Sequence, residues 1–443
     1  MSQRTTAPAG PSQVIDVRAS KRSLVGGCVG NFIEWYEFGV YGYFATIIAA
    51  NFFTAEGSSD LEALVKTYAS FAIAFFFRPV GAWLFGRLGD RFGRRPVLVL
   101  VLLVMALGTA LIGVLPTRET VGAAAPWLLT LVRIVQGLSA GGEFGGAVSL
   151  MTEHAPPRQR GRYGSWQSFT VALGLLAGAG TAAVLATALS EDALHAWGWR
   201  IPFLLALPLG LVALWVRLRV EESPVFREVT EAEQLAPPRD ARPAAHSTGT
   251  AILLGIARLM GWAAAGYTFL VVMPTYLQVA LGATFKESLI AGVVANAGFA
   301  ASILPAGVLS DRFGRKPVML VGALSIAVLA LPMLNILQDA GTSTAARFGV
   351  VFAAGAIVGL MAGPGPAMLS EMFHTRVRYT GLGLSYSLSN AVFAGSAGLI
   401  ITELIKSTAN KDIPAYYVIA TCVVSALALA TLRSDDHLHS LPR

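Results

Sequence analysis

Charge is what this chain has least of. Of 443 residues only 13% are Asp, Glu, Lys or Arg, about half the share found in ordinary soluble domains. Apolar residues make up 54% and the mean hydropathy is +0.61, which excludes a soluble globular enzyme of usual make-up and a disordered scaffold alike. Cysteine is nearly missing: Cys28 and Cys422 stand at opposite ends of the chain, so neither a disulfide framework nor any metal centre is expected. The sequence contains no G-x4-G-K-[ST], which removes a nucleotide-driven pump. The net charge of +7 comes from basic residues in short loops. There it reads as an orientation signal of a membrane protein and not as a nucleic-acid surface.

What is present is long apolar runs. Hydropathy predicts twelve spans, at 23–48, 65–85, 97–115, 127–150, 163–188, 200–217, 250–279, 287–309, 317–337, 346–372, 380–405 and 414–432. The expected fold is therefore an all-α integral membrane protein of about twelve transmembrane helices in two six-helix bundles. Its expected parts are a tail over 1–22, a bundle over 23–217, a linker over 218–249, a second bundle over 250–432 and a tail over 433–443. Little chain is left for an extramembrane domain, so function should lie within the bilayer. Twelve spans put both termini on one side. If that side is cytoplasmic, the 33 Lys and Arg divide into 23 inside, 7 outside and 3 within spans, and the positive-inside rule fixes both termini in the cytoplasm of a cell-membrane protein. Arg4, Arg18, Lys21 and Arg22 precede the first apolar run, but that run is too long for a signal peptide and contains Glu34 and Glu37, so an uncleaved first helix is expected.

The chain is also built twice. Gly86-Arg87-Leu88-Gly89-Asp90-Arg91-Phe92-Gly93-Arg94-Arg95 returns as Gly307-Val308-Leu309-Ser310-Asp311-Arg312-Phe313-Gly314-Arg315-Lys316. Glu153-x4-Arg158-x-Arg160 returns as Glu371-x4-Arg376-x-Arg378. Two charged signatures repeated in near register at half-chain spacing imply parallel structural repeats, the plan of a transporter that rocks about a central site.

These loop motifs match the signature G-x-x-x-D-R-x-G-R-[RK], and the chain resembles the major facilitator superfamily over its whole length. More narrowly it resembles the metabolite:proton symporters, the group of α-ketoglutarate, citrate, shikimate and proline/betaine permeases. That resemblance rests on Gly30-Asn31-Phe32-Ile33-Glu34-Trp35-Tyr36-Glu37-Phe38, Arg78-Pro79-Val80-Gly81, Arg133 through Glu143, and Trp197-Gly198-Trp199-Arg200-Ile201-Pro202-Phe203. It implies a proton-coupled importer of a small organic acid or a zwitterionic osmolyte, working without a cofactor on the proton gradient. It also implies that Asp90, Arg94, Asp311, Arg315, Glu153 and Glu371 form contacts that latch the outward-facing state and break when the cytoplasmic side opens. The osmosensing proline/betaine branch ends in a long coiled coil; here the chain stops shortly after the last span, and sensing by such a tail is not expected.

The candidate site comes from the few charges inside spans, each of which needs a partner or a use. Asn31, Glu34, Glu37 and Tyr41 advance by three or four residues and form one polar stripe, expected to face a central cavity. Glu34 and Glu37 are the candidate proton-coupling pair, against the alternative of permanently ionised groups pinned to basic residues. Arg133 can hold a substrate carboxylate bidentately or form a static bridge to Glu34 or Glu37. In the proline/betaine branch the resemblance implies Lys at this position, so Arg133 favours carboxylate substrates. Gln136 continues its face. Arg78 and Glu143 fall at similar depth, so they are expected to pair with each other as a gating element. Trp166, Gln167, Tyr386 and Asn390 are further substrate-binding candidates, with Trp35, Tyr36, Tyr267 and Asn296 as secondary ones. A cation–π contact to a quaternary ammonium would favour betaine over a dicarboxylate. Gly363-Pro364-Gly365-Pro366 should break the tenth helix. The partners expected are the bilayer, a small-molecule substrate and protons, with no nucleic acid, and the protein should work as a monomer. Two rivals stay open: a proton-coupled exporter, and a membrane nutrient sensor that does not transport.

Overall fold

The computed structural model describes residues 17–55, 57, 59–92, 94–153, 155–156, 158–218, 248–373, 375–433 and 438. Most of the tail expected at 1–22, of the linker expected at 218–249 and of the tail expected at 433–443 lies outside them. Apart from short turns and connections the described residues are helical, and they contain no strand, as an apolar solvent requires. A backbone in lipid satisfies its own N–H and C=O groups only in helices or closed barrels.

Twelve spans appear in order, and the protein is a multi-pass membrane protein. Among the described residues, nine helices are long and apolar enough to cross a membrane. The other three spans carry interruptions or short apolar stretches. The first runs over Val17–Tyr43 and continues past a turn at Phe44 through Ala45–Ile48 and a π-helical turn at Ala49–Phe53. The third is Arg94–Val114. The fourth is split at 141–143 into Ala124–Ala140 and Phe144–Glu153. The tenth span breaks into Thr344–Ala362 and Gly365–Met372 at the Gly-Pro repeat.

The repeated decapeptides are more helical than loop-like. The second span extends over Asp60–Phe92 and the eighth over Phe285–Phe313, so the connection to the ninth span, which starts at Arg315, is the single residue Gly314. Its φ of 95° lies in the left-handed region, where a side chain would be strained. Asp311 is thereby fixed in the last turn of a rigid helix instead of in a mobile loop. The face of the protein that carries these turns is called the hairpin face below; the other is the far face.

Helices approach closely where the sequence provides glycine, the packing rule of lipid-embedded bundles. At Gly137 and Gly141 a Cβ would fall on the carbonyls of Ala74 and Arg78, so the fourth span lies directly on the second. Between the halves the fifth span, Arg160–Ala188, packs along the eighth. Gly161 and Gly307 face each other there, each leaving room for the other's carbonyl.

Candidate functional site

Besides Arg160 at the hairpin face, six charged side chains are buried in the first half: Glu34, Glu37, Arg78, Arg133, Glu143 and Arg217. Three carboxylates face three guanidinium groups, so the set is neutral when all are ionised. Depth alone mispaired them. Arg78 does not meet Glu143; its Nη2 donates to Glu34 Oε1 at 2.7 Å, and Glu143 is held by Arg217 at the end of the sixth span. Gly30 makes room for the second pair, because a Cβ there would strike both its members.

Arg133 and Glu37 remain, and they are joined through neutral groups. Arg133 Nη1 donates to Gln136 Oε1 at 2.8 Å, Gln136 Nε2 to Thr109 Oγ1 at 2.6 Å, and Thr109 Oγ1 to Glu37 Oε2 at 2.6 Å. Glu37 Oε1, Arg133 Nε and Arg133 Nη2 are buried with no hydrogen-bond partner among the described residues. Aromatic faces stand in for partners: the Arg133 guanidinium lies 4.3 Å from the Tyr41 ring, 5.0 Å from Phe38 and 5.1 Å from Phe71. Phe38 is shared with Arg78, at 4.5 Å. Such contacts stabilise a desolvated cation by about 2 kcal/mol or less, well short of what a lost carboxylate partner costs.

The central cavity lies between the halves. Trp35 of the first span, Leu175 of the fifth, Trp262 and Tyr267 of the seventh, Phe299 of the eighth, and Tyr386 and Asn390 of the eleventh line it. These side chains stand close together and leave little room for a ligand between them. Tyr267 Oη, buried in this wall, has no hydrogen-bond partner among the described residues.

The polar stripe of the first span does not line this cavity. Asn31 donates to the Gln167 carbonyl at 2.9 Å and to Thr170 Oγ1 at 2.8 Å, while Tyr41 bonds Ser70 of the second span. The stripe points into its own half, behind Trp35. Trp166 packs edge-on against Phe169, 5.5 Å away, and is not in the cavity wall; Gln167 turns to Asn31. Tyr36 reaches the Pro202 carbonyl instead. Of the residues singled out from sequence, Tyr386, Asn390, Trp35 and Tyr267 come together at the cavity.

Contacts between the halves bridge both faces. On the hairpin face Asp311 accepts from the backbone N–H groups of Gly161 and Arg162, at 2.7 and 2.8 Å, capping the fifth span. Arg315 joins Asp311 at 2.7 Å and Glu371 at 3.0 Å, and Arg160 reaches Glu371 from the other half at 3.1 Å. The side chains of Asp90, Arg94 and Glu153 lie outside the described residues. On the far face Asn296 donates to Tyr43 Oη at 2.9 Å, and Tyr43 donates to the Leu270 carbonyl at 3.0 Å. Leu270 sits in the π-helical turn Thr268–Val272, where the widened ladder leaves carbonyls for such partners. Arg258 bonds the Ala428 carbonyl and Thr431 at the end of the twelfth span, away from the cavity.

Three participants went unseen in the sequence. Arg217 stands at a span boundary and looks like a topology signal. Trp262 is one of many aromatic residues. Thr109 had a usable mark, being the one polar side chain between Val97 and Leu115.

The family model for sugar (and other) transporters matches residues 25–238 and again 239–432. The chain belongs to this family of the major facilitator superfamily. It is a transporter, and its relatives carry transporter names. A glycine betaine/proline/ectoine/pipecolic acid transporter of Dickeya dadantii is 33% identical over 94% of this chain and 83% of its own length. The proline/betaine transporter of Escherichia coli K12 is 32% identical over 95% and 85%, and the ectoine/proline transporter of Corynebacterium glutamicum 34% identical over 94% and 84%. Among solved structures, that of a D-xylose-proton symporter superposes with a TM-score of 0.74 at 19% identity, covering 94% of this chain and 98% of that one. A partially occluded inward-open form of the E. coli xylose transporter gives 0.73 at 18%, covering 93% and 97%. At these identities the likeness concerns the fold.

Proposed function

We propose that this transporter is a proton-coupled symporter importing a small zwitterionic osmolyte of the proline or glycine betaine class. The observation that carries the coupling is the buried Arg133 and Glu37, opposite charges linked only through Gln136 and Thr109 and each keeping unpartnered atoms. A buried ionisable group without a direct counter-charge in a transporter is the natural place for a travelling ion. Glu37 takes the proton, whereas Glu34 stays ionised against Arg78. Arg133, which is fully buried and outside the cavity wall in this form, receives the substrate carboxylate when the halves move and uncover it. The cavity walls of Trp35, Trp262, Tyr267 and Tyr386 suit a cationic ammonium head, because ring faces attract cations most strongly where water is excluded. The names of the relatives agree with that substrate class.

The cycle is alternating access by two six-helix halves, 23–217 and 250–432, with the hairpin face cytoplasmic and both termini inside the cell membrane of the producing cell. The protein acts as a monomer, without a cofactor, and the closed form described above is an occluded intermediate. Purified protein in liposomes tests this. Labelled proline or glycine betaine should accumulate when an inward proton gradient is imposed and be lost on adding a protonophore. Uptake indifferent to the gradient would leave a facilitator. Competition by α-ketoglutarate or citrate stronger than by betaine would move the substrate to the organic acids that Arg133 could equally hold.

A further inference from the structure

The links between Arg133 and Glu37 have a fixed polarity. A guanidinium has only donors, so the Gln136 amide oxygen must face it and the amide NH2 must face Thr109. Thr109 Oγ1 therefore accepts from Gln136 and has one hydrogen to give. Two acceptors stand within its reach, Glu37 Oε2 at 2.6 Å and the Met105 carbonyl at 3.1 Å. The chain Arg133, Gln136, Thr109, Glu37 is wholly buried, each member at most 1% exposed. Everything upstream of Thr109 is determined; its hydroxyl is the one rotor.

We propose that Thr109 is the positioning residue that couples the proton to the substrate, its hydroxyl turning between Glu37 and the Met105 carbonyl as Glu37 gains or loses a proton. The idea rests on the symport reading above. With Glu37 ionised, Thr109 donates to it, and Arg133 is compensated through the chain, whose bonds polarise one another. With a proton on the open Oε1 the carboxyl is neutral, its pull on the hydroxyl weakens, and Thr109 turns to Met105. Arg133 then lacks a counter-charge and draws in the substrate carboxylate through its open Nε and Nη2. Holding the two charges apart matters: a direct Arg133–Glu37 pair would satisfy both groups and stop the cycle. The other charged groups around Glu37 are already spoken for. Glu34 on its own helix is paired with Arg78 of the second span, and Glu143 of the fourth with Arg217 of the sixth.

The test separates coupling from binding and folding. Thr109→Val keeps the shape and deletes the hydroxyl, and Thr109→Ser restores it. In liposomes, gradient-driven accumulation of proline is compared with counterflow exchange at equal pH on both sides, where no net proton movement is needed. Thr109→Val should accumulate about tenfold less, the scale of one charge-assisted hydrogen bond, with counterflow lowered by a clearly smaller factor, and Thr109→Ser should recover accumulation. If the valine variant fails to fold by size-exclusion and thermal-shift criteria, Thr109→Ala replaces it with the same expectation. Accumulation like the parent's, or counterflow lost in equal proportion, overturns the proposal. A parent protein that ignores the gradient would overturn the symport reading itself, which this experiment reads out independently.

Discussion

Replacing Glu371 by glutamine should open the hairpin face. In the closed form this carboxylate lies between Arg315 at 3.0 Å and Arg160 at 3.1 Å, with all three side chains under a tenth exposed. The amide is of the same size but leaves two buried guanidinium groups facing each other across the seam between the halves. Removing one partner of a buried ion pair costs about 3–5 kcal/mol. Asp311 still neutralises Arg315 from the other side at 2.7 Å, which argues for the lower end. Once the face opens, water solvates the same groups, and exposed pairs contribute under about 1 kcal/mol. The closed form should thus lose about 2 kcal/mol relative to the open one, a shift of about thirtyfold in their ratio. Spin labels at Arg158 and Phe313, exposed on opposite halves of this face, would read it by pulsed dipolar spectroscopy after Cys28 and Cys422 have been replaced. A longer-distance population should grow in Glu371→Gln and shrink again on adding Arg160→Gln. Unchanged or shortened distances in the single variant would refute the electrostatic account of the latch.

The two carboxylates of the first span should respond differently to neutralisation. Glu37→Gln should retain counterflow while gradient-driven accumulation disappears, whereas Glu34→Gln, which strands Arg78 in the interior, should lower the thermal midpoint and yield; equal behaviour of the two in both assays would contradict their assignment. Gly137→Leu should prevent assembly of the first half, because the side chain must displace the backbone of Ala74. Its readout is monodisperse yield after detergent extraction, and a normal yield would show that the second and fourth spans can separate at no great cost.

The architecture was legible because its signals are strong and redundant. An apolar run of span length has few other uses, and a charged decapeptide that returns in register fixes the repeat. What the sequence hid was direction. Periodicity correctly groups Asn31, Glu34, Glu37 and Tyr41 on one face, but it carries no information on where that face points. It turns toward the second, third and fifth spans and leaves Trp35 to the cavity. Depth is likewise a single coordinate, so it matched Arg78 with Glu143 when lateral position gives Arg78 to Glu34 and Glu143 to Arg217. The decapeptide looked like a loop for its glycines and charges, yet the helices run through to Phe92 and Phe313, and in the second half Gly314 alone is left to turn. Asp311 is an exception of a useful kind. An acid in the last turn of a helix opposes that helix's own dipole, and such a cost suggests a partner elsewhere, here the start of the fifth span.

Apart from Arg160 in the hairpin-face latch, the buried charges of the first half balance as three carboxylates and three guanidinium groups, and this has an electrical consequence. Among the described residues the second half keeps its buried charges, Arg258, Arg315 and Arg378, toward the hairpin face, so neither half carries an unbalanced charge at mid-depth when it rocks. The membrane voltage, which acts on a displaced elementary charge with about 2.3 kcal/mol per 100 mV, then finds almost nothing to pull on in the protein alone. It acts on the cargo. On the symport reading proposed above, with a zwitterion aboard the whole electrical work of a turn falls on the proton at Glu37, and capacitive currents should be silent until substrate and proton are supplied together.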